Sequence, residues 1–149
     1  MLAGEFCNRD VVVIGEDESV GEAARLMRAH HVGDVVVVRD RGGKRVPTGI
    51  VTDRDLVVEV LAPELTSAEL AVKDLVTAPL VVANDRDGLM EVLGLMRRKG
   101  VRRIPVVRAD GELAGILSVD DLLELLTEML SDLSILVRRE HDHEMQTRP

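Results

Sequence analysis

Leu95-Met96-Arg97-Arg98-Lys99-Gly100-Val101-Arg102-Arg103-Ile104-Pro105-Val106-Val107-Arg108 decides the fold, because the chain has already spelled its outline once. Leu26-Met27-Arg28 through Val32 to Val37-Val38-Arg39 is the same pattern 69 residues earlier. Further out, Gly49-Ile50-Val51-Thr52-Asp53-Arg54-Asp55-Leu56 returns as Gly115-Ile116-Leu117-Ser118-Val119-Asp120-Asp121-Leu122, at a spacing of 66 residues. The change of spacing has a visible source. Between the two blocks the first copy carries Asp40-Arg41-Gly42-Gly43-Lys44-Arg45-Val46-Pro47, where the second has only Ala109-Asp110-Gly111-Glu112-Leu113. An insertion confined to a Gly-containing turn, with matched blocks on both sides, marks two copies of one small fold.

Within one copy the local signals are clear. Val11-Val12-Val13-Ile14 is a β-branched apolar run closed by the acidic turn Gly15-Glu16-Asp17-Glu18, and predicts a buried strand. Ser19 predicts a helix N-cap, with Glu22 three residues on and Ala23, Leu26 and Met27 sharing one face; the helix ends near His30-His31. Val35 to Val38 predicts a second strand, the segment from Arg39 to Pro47 a turn, and Thr48 to Val51 a third strand. Asp53 opens a second helix that Pro63 stops. The second copy predicts the same order: a strand over Leu80-Val81-Val82, a helix over Leu89 to Arg98, strands over Ile104 to Val107 and Leu113 to Leu117, and a helix from Asp120. The fold class is therefore α+β, two tandem β-α-β-β-α repeats. One repeat of about 60 residues is marginal alone, so the two are expected to pack sheet to sheet about a pseudo-two-fold axis. The expected divisions are a first repeat over 5–62, a polar connector over 63–72 entering a short turn at Val72-Lys73-Asp74-Leu75, a second repeat over 73–138, and a polar, flexible tail over 139–149.

Composition excludes several classes. The net charge is −8 and Phe6 is the one aromatic among 149 residues, so the base-stacking platforms and basic faces of nucleic-acid binders are missing. The same acidity disfavours an anionic membrane surface, and no apolar run reaches the roughly 20 residues of a membrane span. Met1-Leu2-Ala3-Gly4-Glu5 has no signal-peptide character, and the expectation is a cytoplasmic protein. The single cysteine, Cys7, forms no intramolecular disulfide and gives no metal framework; it reads as a small buried residue or as a redox-sensitive thiol. His30-His31 suits a helix C-terminus, where a cation is favourable, and His141 and His143 suit a solvated tail; no metal site is assigned.

The last helix has a broad apolar stripe. Leu122, Leu126, Met129, Leu133 and Leu136 follow a 4-3-4-3 spacing, and Leu123, Leu130 and Val137 widen it beyond what one sheet covers. A self-association surface is expected there, making a homodimer.

The duplicated unit, with Val-Arg-Arg-Ile-Pro-Val-Val before one hairpin and Gly-Ile-Val-Thr-Asp-Arg-Asp-Leu after the other, resembles the cystathionine β-synthase (CBS) domain pair, the Bateman module, over roughly residues 5 to 138. It looks like the free-standing bacterial type, since nothing remains to form an attached enzyme. The resemblance implies clefts between the sheets that take adenosyl compounds. Thr52 and Ser118, where the third strand meets the helix, would face a phosphate with the helix-start N–H groups. Asp55 and Asp121, one turn on, would accept hydrogen bonds from the ribose hydroxyls. The same hydroxyls also suit plain helix N-caps; their presence with the carboxylate in both copies favours a ligand.

The resemblance also supplies walls from the opposite repeat: Thr77 to Leu80 and Val101-Arg102 for the first cleft, Asp10-Val11 and Val32-Gly33 for the second. Arg54 lies inside the first motif as a phosphate donor, where the second has Asp120. The other phosphate-facing position holds Arg102 and Arg103 in the second copy against Gly33 and Asp34 in the first. The complete Thr52-Arg54-Asp55 motif favours the first cleft. Apolar walls can sandwich adenine through burial alone. AMP, ADP, ATP, NAD and S-adenosylmethionine all share the recognised part.

No Gly-x-x-x-x-Gly-Lys-Ser/Thr loop and no nucleophile-base set is present, so no catalysis is expected. The leading expectation is a regulatory module signalling to a downstream protein; the alternative is a scaffolding homodimer with vestigial clefts.

Overall fold

The computed structural model describes residues 1–148. It forms two compact units, Met1–Leu117 and a second that begins at Ser118. A one-turn helix α1 (Ala3–Phe6) precedes β1 (Val13–Gly15), α2 (Val20–His30), β2 (Asp34–Arg41), β3 (Lys44–Thr52) and α3 (Asp53–Leu56), which runs on as a π-turn over Val57–Leu61. A 3₁₀ turn at Val72–Leu75 leads to β4 (Ala83–Asn84), α4 (Leu89–Lys99), β5 (Arg103–Val107), β6 (Leu113–Ser118) and α5 (Val119–Thr147). The class is α+β, with one three-stranded mixed sheet per repeat. β1 lies parallel to β2 and β3 antiparallel to it; the other sheet has the order β4-β5-β6, with β4 parallel to β5.

The helices form where the sequence places them. Ser19 Oγ accepts the Glu22 N–H at 3.1 Å, and α2 buries Val20, Ala23 and Met27 on the face that the 3.6-residue period dictates. The helix ends at His31, whose φ of 53° is left-handed; the matching residue after α4 is Gly100, with φ 66°. Around α2, Ile14, Val35, Val37 and Val51 of the first sheet join Val60 and Val72 in one apolar cluster.

Each repeat begins with a turn that docks on the other. Val72 N–H donates to Glu18 O (2.8 Å) and Lys73 N–H to Glu16 O (3.2 Å); 69 residues back, Ala3 N–H donates to Asp87 O (2.8 Å) and Gly4 N–H to Asp85 O (2.9 Å). Ala3 and Val72 are both fully buried. The exchange continues at two glycines. A Cβ on Gly49 would meet Val76 Cγ2 at 2.5 Å, and one on Gly115 would meet Cys7 Sγ at 2.6 Å. Gly49 matches Gly115 and Val76 matches Cys7, so the pseudo-symmetry extends to this close backbone approach. Cys7 is buried there, in line with the small-residue reading.

Three expectations need correction. Strand pairing starts later than the apolar runs: at Val13 rather than Val11, and at Ala83 rather than Leu80. The turn over Arg39 to Pro47 is much shorter, because Gly42 and Gly43, with φ of 62° and 83°, make a two-residue reversal and let β2 and β3 extend. A bulge opposite Val37 and Val38 absorbs Thr48 and seats Pro47 in the strand. The tail expected over 139–149 is helical through Thr147; Pro149 lies outside the described residues.

Candidate ligand cleft

Thr52 ends β3 and caps α3. Its Oγ1 accepts the Asp55 N–H at 3.2 Å, and its own N–H donates to Asp55 Oδ2 at 2.9 Å. This reciprocal box satisfies two of the donors that a helix start leaves open. It fixes the Asp55 carboxylate while engaging one of its two oxygens, and leaves the Thr52 hydroxyl proton available to donate. In α5, Ser118 N–H donates to Asp121 Oδ2 (2.9 Å), Asp121 N–H to Ser118 Oγ (3.1 Å), and Ser118 Oγ also donates to Asp121 Oδ2 (2.6 Å). Capping explains the hydroxyl in both copies. It does not by itself explain the acid, since longer or amide side chains serve as well at that position.

Asp55 borders a cavity of about 270 Å³ in the first unit. Gly49 and Ile50 of β3 form one side, Leu75 to Val81 another, and Val101 and Arg103 of the second repeat complete it. Of the expected site residues, Asp55, Thr77, Leu80, Val101 and Arg103 converge here. Thr52 adjoins through its box with Asp55 but, like Arg54 and Arg102, is not part of the lining. Arg54 is exposed, its backbone N–H donating to Asp53 Oδ1 (2.8 Å), and Arg102 is exposed before β5. Val11 precedes β1 half-buried, and Gly33 precedes β2 with its carbonyl accepting the Asp53 N–H at 2.9 Å. A second cavity of about 300 Å³ shares Asp55, Leu75 and Thr77 with the first and adds Glu59, Leu65, Leu70 and Asp74.

The late start of β4 has its reason in this cavity. Leu80 and Val81 are apolar because they line it, not because they pair in a sheet. Sequence reasoning missed Gly49, Ile50, Leu75, Val76 and Val81. The available signal was the repeat itself, which sets Gly49 at the same place in its motif as Gly115.

Charge in the cleft comes from few groups. Arg103 is the only basic side chain in the lining and Asp55 the only acidic one. Arg103 Nε lies 3.1 Å from Asp34 Oδ1, on the first residue of β2. Burial holds the Asp34 carboxyl above its usual range, outweighing the downward pull of Arg103, and Asp53 adds to the rise. Among the described residues, no group of three or more His, Cys, Asp or Glu side chains is placed to hold a metal ion, and no helix is long and apolar enough to cross a membrane.

A duplicated β-α-β-β-α unit whose repeats together wall an acid-bearing apolar cleft defines the class. The CBS-domain family model matches residues 3–62 and 72–128, and the chain belongs to that family. An uncharacterised protein of Methanopyrus kandleri, MK0525, is 35% identical over 122 residues, 82% of this chain and 61% of that protein. MJ1404 of Methanocaldococcus jannaschii is 28% identical over 84% of this chain and 32% of its own length, so the chain spans less than two thirds of the first relative and about a third of the second. Hypoxic response protein 1 of Mycobacterium tuberculosis is 29% identical over 85% of each chain. The crystal structure of Hypoxic Response Protein I, with two coordinated zinc ions, superposes with a TM-score of 0.73 at 28% identity, covering 83% of this chain and 98% of that one. The CBS domain protein PAE2072 from Pyrobaculum aerophilum, complexed with AMP, has a TM-score of 0.72 at 27% identity, with 85% and 99% covered.

Proposed function

We propose that this protein is a non-enzymatic regulatory module that binds an adenosyl ligand in the cleft beside Asp55 and works as a homodimer through α5. The observation that carries the reading is the cavity itself. An acid fixed by a capping box, apolar walls and one arginine come together there from both repeats. The second carboxylate oxygen of Asp55 would accept from ribose hydroxyls, and Ile50, Leu80, Val81 and Val101 would enclose the base at about 25 cal/mol per Å² buried. The Thr52 hydroxyl, Arg54 and the Arg102-Arg103 pair are the donors for a phosphate. AMP bound to the Pyrobaculum relative supports an adenosyl compound; the candidates are AMP, ADP, ATP, NAD and S-adenosylmethionine. A ligand touching both repeats favours one arrangement of them, and a downstream protein that prefers that arrangement reads the ligand's level.

A thermal-shift screen against these compounds and GTP tests the reading. A ligand at 100 times its Kd adds about 2.7 kcal/mol, several degrees for a domain of this size. A selective rise with one adenosyl compound supports the sensor; no rise with any overturns it. The exposed apolar side chains of α5, among them Leu126, Leu130 and Leu133, favour a second reading, a scaffolding dimer with vestigial clefts. That reading gives a stable dimer and no nucleotide shift.

A further inference from the structure

Position 34 opens β2 in the first repeat, and position 103, 69 residues on, opens β5 in the second. These matching positions carry opposite charges and face each other, with Arg103 Nε 3.1 Å from Asp34 Oδ1. Arg103 lines the cleft and Asp34 does not. The carboxylate therefore engages a guanidinium that lines the cleft without being part of the lining itself. We propose that Asp34 is a specificity-determining residue of the first cleft, a built-in counter-charge that competes with a ligand's phosphate for Arg103 and so sets how much negative charge the cleft accepts. The inference rests on the reading of the cleft as an adenosyl site.

Arg103 and Asp55 balance within the lining, and Asp34, paired with Arg103 and with Asp53 near it, adds an excess of negative charge beside that guanidinium; Arg54 and Arg102 lie outside the lining. A neutral nucleoside meets no penalty from that excess. Each phosphate charge meets repulsion from Asp34 and a guanidinium already partly neutralised. Asp34 is 15% exposed in its side chain and Arg103 37%, so the pair is screened less than a surface pair. The strained balance at Asp34, where burial outweighs the attraction of Arg103, fits a carboxylate kept for charge rather than for stability.

Isothermal titration of adenosine, AMP and magnesium-free ATP into the wild type, Asp34→Asn and Asp34→Ser tests the proposal, with folding of each variant checked by its thermal midpoint. Both substitutions should leave adenosine within about two-fold, tighten AMP about ten-fold and tighten ATP further. Arg103→Gln added to Asp34→Asn should abolish the gain. A change of equal size for adenosine and AMP, or weaker AMP binding, would show that Asp34 merely holds Arg103 in place, and overturns the counter-charge. Wild-type binding of adenosine without any charge-dependent gain overturns this proposal alone; no binding of any adenosyl compound to the wild type overturns the reading of the cleft with it.

Discussion

In the first repeat position 34 is an aspartate; in the second the matching position 103 is an arginine, and the two side chains meet. Elsewhere the repeats solve the same problem in the same way. Thr52 with Asp55 and Ser118 with Asp121 make equivalent capping boxes, Gly49 and Gly115 admit equivalent close approaches, and the turns at Ala3 and Val72 donate equivalent hydrogen bonds. The comparison separates two kinds of position. Where backbone geometry leaves one physical solution, both copies use it. At positions 34 and 103, where a side chain of one repeat meets its counterpart in the other, the copies differ in charge. One gene product thus carries two similar frames and unlike chemistry.

The largest expected effect breaks the shared frame. Gly49→Ala drives a methyl into Val76, and Gly115→Ala drives one into both Cys7 and the Asn8 carbonyl oxygen, 2.7 Å away. Each should cost about 3 kcal/mol, about 10 °C in Tm by calorimetry. Val76→Ala should rescue Gly49→Ala in part, because only side-chain atoms crowd it. Cys7→Ala should rescue Gly115→Ala much less, because the Asn8 backbone remains. Equal rescue would show that the two approaches are not limited by these atoms.

The helices after the two motifs differ most in length: α3 with its π-turn ends by Leu61, whereas α5 runs from Val119 to Thr147. Leu126, Met129, Leu130 and Leu133 are 50%, 43%, 67% and 57% exposed. For the proposed homodimer, Leu126→Glu with Leu130→Glu should raise the dissociation constant by at least about 30-fold, corresponding to about 2 kcal/mol, seen in sedimentation equilibrium. An unchanged oligomeric state would remove α5 from the interface.

The Asp34–Arg103 pair gives an asymmetric result. Because the folded-state carboxyl of Asp34 is raised, its ionised form opposes folding at neutral pH, and that cost falls away as pH drops through its folded pKa. Asp34→Asn should therefore leave Tm unchanged or higher at pH 7, with the difference from wild type shrinking on acidification. Arg103→Met should lower stability by about 2 kcal/mol, since it strands a desolvated carboxylate. Matched thermal melts from pH 7 to 4 check both signs.

The smallest effect lies at the helix ends. Gly100→Ala meets nothing within 4 Å, so its cost is backbone strain at φ 66°, about 1 kcal/mol or 2–4 °C. His31→Gly, at the matching position with φ 53°, should raise Tm slightly. The reverse order of these two would show that side-chain contacts, not φ, govern the turn.

Much of this was legible beforehand because it is written in local chemistry. The repeat, the Ser19 cap, the end of α2 at His31 and the Thr52-Asp55 spacing all depend on residues a few positions apart. The missing parts depend on distant residues. Apolar runs at Val11 and Leu80 look the same whether they enter a sheet or line a cavity, so the strands were expected too early. Glycines 42 and 43 fall inside the longer expected turn because nothing local shows that β2 and β3 continue to meet around them. The docking of residues 3 and 4 on residues 85 and 87 joins segments about 80 apart, and no periodicity encodes it. The Asp34–Arg103 contact is of the same kind.

The two motifs can be set against each other directly. Asp55→Ala and Asp121→Ala each dismantle an equivalent capping box, so each should lose about 1 kcal/mol of stability. Titration calorimetry with AMP, the ligand of the Pyrobaculum relative, then reads the cleft itself. Asp55→Ala should weaken binding at least ten-fold, the loss of about 1.5–3 kcal/mol expected when a charged acceptor is removed, while Asp121→Ala should weaken it far less. Unimpaired AMP binding by Asp55→Ala would contradict the central claim.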